Sequence, residues 1–494
     1  MGIWFRMNRN PRRAENPSPM PLPVFRFRLP RSPRSRRAAR SPADWWVFAT
    51  RWFKRFSVWV GGIAVALVAI LFAQVTEQAF EIFSRLLERH PALPFVITPL
   101  GLALAALVTI RLVPGAQGSG IPQTIAALSL SAEQRRAVLS LPIAAAKICL
   151  TAIGLASGAS VGREGPTVQV GASLMLGFSR MFRLNSALSE RSMTVAGGAA
   201  GIAAAFNTPL AGVVFAIEEL TRSYETRTSG TVMTAVILSG ITSLALVGNS
   251  PYFGHSIATL DIGSGWLAVG IIGIVGGAVG GLFSRLLIGA SQNGLPGAIG
   301  HLARQRPVLF AAACGLALAL IGVVSGNATY GTGYTEARTM LDGGSLGWLF
   351  FPLKVLATAV SYLSGIPGGL FSPSLSAGAG LGSVVARFVA DVPLDACILL
   401  GMAAYFTGVV QSPITAAVIV MEMTSNHGMI VPLMAVSFLA FGVSRIVCPH
   451  PLYKALALRF LSRKSDPAPA KLRTDLSDEI EPPPPPQPVG HRFD

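Results

Sequence analysis

Long stretches with few or no charged side chains recur along the chain, among them Val58 to Val75, Phe95 to Ile110, Thr231 to Gly248, Trp266 to Phe283, Val308 to Gly326 and Ile430 to Val443. Most approach the roughly 20 residues that a helix needs to cross a hydrocarbon core of about 30 Å, so they predict membrane-spanning helices. Between them lie apolar pieces cut by Gly and Pro, such as Leu141 to Gly158 and Pro209 to Ile217, too short or too interrupted for simple spans. Non-helical backbone at membrane depth survives only where protein buries it or where it lines a wet cavity. The pattern predicts an all-α polytopic membrane protein whose broken helices line a transport pathway.

Composition agrees: of 494 residues 51% are apolar, 13% are charged and 52 are glycine, which excludes an ordinary soluble enzyme. The net charge of +17 does not mark a nucleic-acid binder, because residues 1–55 hold 14 Lys and Arg against only Glu15 and Asp44. That excess precedes the first span and predicts a basic disordered cytoplasmic segment obeying the positive-inside bias, in contact with anionic lipid. An organellar transit peptide is the alternative for this segment, and no secretory signal fits it. The closing run "EPPPPPQPVGHRFD" predicts a disordered proline-rich tail over 463–494, with no room for a soluble C-terminal regulatory domain. Cys149, Cys314, Cys397 and Cys448 stand singly in apolar segments and predict buried small side chains. No histidine cluster and no phosphate-binding loop of the form G-x-x-x-x-G-K-[ST] occurs, so neither a metal site nor ATP-driven pumping is expected.

An internal repeat organises the rest. "SGASVGREGP" (157–166) and "SGIPGGLFSP" (364–373) share their opening Ser-Gly, a central Gly and the final Pro at one offset of 207 residues, and Lys147 and Lys354 keep that offset. "GSGIP" (118–122) faces "GTGYT" (331–335), and aligning Pro209 with Pro413 also aligns Glu218 with Glu422. The chain therefore divides into a first repeat over 56–250, a linker over 251–265 and a second repeat over 266–462. Duplicated units with helices broken at matching positions build midplane sites in secondary transporters. A helix N-terminus offers unpaired N–H groups and the positive end of the helix dipole, so several converging ends bind an anion. Each Gly-rich stretch ends just before an apolar helical run, as an N-terminus should.

The trio "GSGIP" (118–122), "GREGPTVQ" (162–169) and "GGLFSP" (368–373), followed by "PLY" (451–453) after the last span, resembles the CLC family of chloride channels and chloride/proton antiporters over about 58–462. The resemblance implies two inverted-topology repeats of tilted and broken helices, and a homodimer with one pore per subunit. It implies a multi-pass protein of the cell (inner) membrane with both termini cytoplasmic, no cofactor, and chloride and protons as cargo. The chloride-binding residues it implies are Ser119 and Tyr453 through their hydroxyls, and Leu370, Phe371, Arg163 and Gly165 through backbone N–H groups. Ser119 as a helix cap, Tyr453 as an interfacial anchor and Arg163–Glu164 as a local ion pair are the bland readings of the same residues.

Glu164 is the implied gate: ionised it occupies the anion's place, protonated or outcompeted it leaves. Glu219 matches the second glutamate of proton-coupled members, which favours antiport over a passive voltage- or pH-gated channel, while Glu218 or Glu219 as a helix-end cap stays open. Lys147 is an intramembrane cation, read either as pathway electrostatics or as a paired structural lysine. Gln123 and Ile125 stand where many relatives carry acids, and "MTSNHG" (423–428) varies a usual Met-Thr-Asp-Asn. Two rivals remain: a fluoride/proton antiporter, against which Ser119 and Pro166 speak, and a membrane-embedded enzyme, for which no catalytic constellation appears.

Overall fold

The computed structural model describes residues 42–462, apart from 185, 223–225, 249–250, 261–262, 264 and 390–391. The segments 1–41 and 463–494, expected to be disordered tails, lie outside the described residues. The first repeat comprises α1 (Pro42–Arg89), α2 (Pro94–Arg111), α3 (Ile121–Ala127), α4 (Ala132–Arg136), α5 (Leu141–Ala156), α6 (Glu164–Met181), α7 (Ala187–Phe206), α8 (Pro209–Phe215) and α9 (Thr226–Val247). The second comprises α10 (Gly265–Gln292), α11 (Gly297–Gln305), α12 (Pro307–Val324), α13 (Tyr334–Leu341), α14 (Phe350–Leu363), α15 (Phe371–Val385), α16 (Leu394–Val410), α17 (Pro413–Thr424) and α18 (Ile430–Val447). Helix α19 (Leu452–Ser462) follows both.

Among the described residues seven helical segments are long and apolar enough to cross a membrane. Six cover the uncharged runs named above, to within two residues where a run extends past its helix. The seventh, Ala132–Ala156, joins α4 and α5 across the turn at 137–140; α5 itself has 16 residues, and the charged turn of α4, with Glu133, Arg135 and Arg136, adds no apolar length to it. Helix α1 begins at Pro42 rather than after residue 55, and proline suits a helix's first turn. Cys314, Cys397 and Cys448 are buried as expected, but Cys149 is exposed, on a face of α5 that turns away from the interior.

The repeat is visible in the joints between helices. Asn207 and Gln411 end α7 and α16 in the left-handed region, at φ 56° and 61°, and Pro209 and Pro413 then open α8 and α17. Helices α6 and α7 touch at Gly171 and Gly197, where a Cβ on either residue would lie 2.3 Å from the other's carbonyl oxygen. Gly378 and Gly401 make the matching contact between α15 and α16. Small residues at such crossings let helix backbones approach closely, which is how membrane helices gain packing energy without a hydrophobic drive. Along α16 every residue from Ala396 to Val410 is buried, and α7 is buried from Ser192 to Phe206. Each of these two helices is covered by its neighbours, α7 by α6 and α9 and α16 by α15, α10 and α18.

Candidate functional site

Three breaks in the helices meet in the middle of the protein. The stretch before α6 pairs with the stretch before α15: Gly162 N–H donates to Gly369 O at 2.8 Å and Gly369 N–H donates to Gly162 O at 2.7 Å. The stretch before α3 joins them, with Gly118 N–H donating to Ile366 O at 3.3 Å and Gly368 N–H to Gly118 O at 3.2 Å. Helices α6 and α15 begin at Glu164 and Phe371, which are matched positions of the repeat, and Pro166 and Pro373 occupy their third positions. Each proline removes one of the N–H groups that a helix start leaves unpaired. Fewer donors remain, and their direction is fixed.

Ser119 sits against this junction: a Cβ on Gly165 would lie 2.4 Å from its hydroxyl oxygen. Gly120, at φ 105°, turns the chain into α3 in a conformation that only glycine adopts readily. The hydroxyls of Ser119 and Tyr453 are neighbours, close enough to interact with each other; both are buried, and neither reaches any other hydrogen-bond partner. Even paired with each other they leave one O–H without an acceptor, and a buried unpaired hydroxyl is costly, so the spot suits an acceptor. The Tyr453 ring stands 6.0 Å from that of Phe371, which packs 4.6 Å from Phe406 and 6.0 Å from Phe215. Leu370 and Phe371 are fully buried. The anion-binding residues named from sequence are thus gathered at one place.

Glu164 is also fully buried, and its carboxylate reaches the start of the other repeat's helix. Ser372 Oγ donates to its Oε1 at 2.5 Å, and the Ser372 N–H approaches Oε2 at 3.4 Å. Its neighbour Arg163 does not pair with it. The guanidinium instead donates to Ala73 O at 2.8 Å and makes an ion pair of 2.8 Å with Glu77 on α1, so the local-pair reading gives way. Sequence reasoning missed Glu77, although it is the first acid after the charge-free run Val58 to Val75.

The two neighbouring glutamates have different surroundings. They lie in a π-helical turn, Ala216–Thr221, that continues α8; such wide turns recur at functional sites. Glu218 caps α17, accepting from the Ile414 and Thr415 N–H groups at 3.1 and 2.6 Å. Glu219 accepts from Ser412 Oγ, is 2% exposed, and its Oε1 has no partner.

Lys147 and Lys354 make matching contacts. Lys147 Nζ donates to Ala116 O at 2.8 Å and Gly118 O at 2.5 Å. Lys354 Nζ donates to the carbonyls of Thr329, Tyr330 and Gly331 at 3.0, 3.3 and 2.9 Å. Each Nζ ties down the loop ahead of a short helix, α3 for Lys147 and α13 for Lys354. Gln123 helps at the first loop, donating to Gln117 O and accepting from Gly120 N–H, while Ile125 packs into apolar core. Asn426 of the varied "MTSNHG" accepts from Met429 N–H at 3.2 Å and donates to Ala258 O at 2.9 Å, fixing the turn between α17 and α18. A cavity of about 340 Å³ is lined by Ser119, Gln123, Tyr362, Arg304 and Arg459, the last two of which are exposed. Among the described residues no cluster of His, Cys, Asp and Glu could hold a metal.

Helix starts from two repeats that converge on two buried hydroxyls short of an acceptor define a duplicated, broken-helix membrane protein of the channel and secondary-transporter class. The chain belongs to the CLC family: residues 101–445 match the family described as voltage gated chloride channel. It is 30% identical over 403 residues to the H(+)/Cl(−) exchange transporter ClcA of Citrobacter koseri, covering 78% of this chain and 84% of that protein. The ClcA of Salmonella arizonae is equally similar, 30% over 404 residues, with the same shares covered. Among solved structures, a slow cyanobacterial Cl−/H+ antiporter superposes with a TM-score of 0.71 at 25% identity, covering 83% of this chain and 99% of that one. A CLC-type fluoride/proton antiporter superposes with a TM-score of 0.69 at 22% identity, covering 81% and 97%, which speaks for the shared fold.

Proposed function

We propose that this protein exchanges chloride for protons across the cell (inner) membrane, with Glu164 as the gate and Glu219 as the second proton-transfer group. The observation that carries the reading is the carboxylate of Glu164 lying at the first turn of α15 and accepting from Ser372. A helix start of this kind binds anions, so the ionised side chain stands where a permeating anion would. Protonation removes its charge and its claim on that place.

The bound chloride would accept from the Ser119 and Tyr453 hydroxyls and from backbone N–H groups of Arg163, Gly165, Leu370 and Phe371. The buried O–H left short of an acceptor supports this set. Glu219, with one carboxylate oxygen unpartnered, suits a group that takes up and releases a proton on the opposite side of the chloride site. Lys147 acts on the pathway by holding the carbonyls of Ala116 and Gly118, which orients the loop carrying Ser119. No cofactor is needed for the cycle. The resemblance supports a homodimer with a pore in each subunit, and both termini cytoplasmic.

The reading is tested in liposomes with a chloride gradient and the potential clamped by valinomycin and potassium. Uphill proton movement that vanishes in both Glu164→Ala and Glu219→Ala while chloride flux persists supports antiport. Chloride flux without proton movement in the unmodified protein makes it a passive channel, and preference for fluoride over chloride overturns the substrate.

A further inference from the structure

Helices α2 and α12 run side by side in opposite directions and touch most closely where Pro99 meets Gly315. A Cβ on Gly315 would lie 2.6 Å from Pro99 Cα, so the backbones are in contact there. Toward the C-terminus of α2 and the N-terminus of α12 the pair opens, leaving a groove of about 520 Å³. Its wall is apolar along Ala103, Leu107, Leu309 and Ala312 and turns basic at Arg111 and Arg306.

The depth of that basic end is set by helix geometry. Arg111 is the last residue of one membrane-spanning segment and Arg306 directly precedes another. At about 1.5 Å per residue they stand roughly 18 and 14 Å from the Pro99–Gly315 contact. Arg111 ends and Arg306 precedes an 18-residue apolar span, and about 27 Å of helix nearly fills a hydrocarbon core of about 30 Å, so long side chains at these ends extend toward the layer of lipid phosphates. Both residues are exposed, and among the described residues no carboxylate pairs with either. The first span runs from Arg55 to Arg89 and the second returns from Pro94 to Arg111, so this end lies on the side of Arg55, where the sequence carries its excess of Lys and Arg and the positive-inside bias puts the cytoplasm. Basic pockets between membrane helices on the cytoplasmic side bind anionic headgroups.

We propose that this groove is a binding site for an anionic phospholipid of the cytoplasmic leaflet. One acyl chain lies along Ala103, Leu107, Leu309 and Ala312, and the phosphate bridges Arg111 and Arg306. Ile110 and Pro307 line both this groove and the cavity that reaches Ser119, so the headgroup charge sits beside that cavity. The site stands on the membrane fold alone and is independent of which ion the protein moves.

Native mass spectrometry of the full-length protein titrated with dioleoylphosphatidylglycerol, against dioleoylphosphatidylcholine, tests the assignment. The unmodified protein should retain phosphatidylglycerol in preference, and Arg111→Ala/Arg306→Ala should weaken it roughly thirtyfold, at about a factor of five for each cationic contact. Ala312→Phe keeps both charges and fills the groove, so it should weaken retention as well. Equal retention by the unmodified and double-alanine proteins, or of the two lipids, overturns the proposal. Displacement by excess inorganic phosphate, with Ala312→Phe without effect, would mean a free-anion site and overturns it too.

Discussion

Glu218 and Glu422, matched residues of the two repeats, each cap the broken helix of the other repeat. Glu218 accepts from Ile414 and Thr415 at the start of α17, and Glu422 accepts from Leu210 and Ala211 at the start of α8, at 3.1 and 2.6 Å. Each helix start is opened by a proline and needs an acceptor for its free N–H groups. The supplier is the distant repeat rather than the local sequence. Hydrogen bonds to a charged group contribute about 1.5–3 kcal/mol, so Glu218→Ala and Glu422→Ala should each lower stability by about 2 kcal/mol. Thermal unfolding in detergent measures this, and the folded fraction should still couple chloride to protons.

Glu219 should differ in transport. Its counterpart in the second repeat is Met423 by the alignment of Pro209 with Pro413, and one of its carboxylate oxygens is buried without a partner. Removing an incompletely paired buried group recovers part of its desolvation cost. Glu219→Met relieves that oxygen but leaves the buried Ser412 hydroxyl without its acceptor, so it is expected to lower stability by no more than about 1–3 kcal/mol while proton movement is lost and chloride flux continues. A matching fall in stability and chloride flux would mark Glu219 as structural.

Ser372 Oγ donates to the Glu164 carboxylate and holds it at the start of α15. A hydrogen bond to a charged group contributes about 1.5–3 kcal/mol, so without that hydroxyl the carboxylate competes less well with an anion for this place. Ser372→Ala should raise chloride flux severalfold, and Glu164→Gln, which removes the charge altogether, should raise it further. Flux measured in liposomes at one fixed pH distinguishes the two.

Arg163 is held from two sides that differ in worth. Glu77 is 67% exposed in its side chain, and exposed ion pairs contribute about 0–1 kcal/mol; the bond to Ala73 O is mostly hidden from water. Glu77→Gln should change the unfolding temperature little, and the small effect should fade with salt. Arg163→Met should cost clearly more, because it strips the carbonyl of Ala73 as well.

Gly165 leaves no room for a side chain beside the Ser119 hydroxyl. Gly165→Ala is expected to lower chloride affinity at least tenfold in isothermal titration calorimetry, an estimate that follows from displacing one donor of an ion site. Gly171→Ala, which crowds the carbonyl of Gly197 away from the site, should cost about 1–3 kcal/mol of stability and change affinity far less.

The sequence by itself determined the spans, the duplication and the residues at the helix breaks. Runs such as Val308 to Gly326 are long and uncharged, and a bilayer tolerates little else, so burial in lipid and helix formation are read from composition alone. Offsets shared by Lys147 with Lys354 and Glu218 with Glu422 exposed the repeat because duplication preserves spacing. Tertiary structure decided which groups those residues meet. Arg163 adjoins Glu164 in the chain yet pairs with Glu77 on another helix, and Glu218 and Glu219 are neighbours with unlike roles, one capping α17 and one left with a free carboxylate oxygen. A helix turns successive side chains in different directions, and what stands in each direction is set by how the two repeats pack against each other, at sequence separations near 200 residues. No local pattern carries that information, because the partner's distance along the chain is fixed only when the repeats come together.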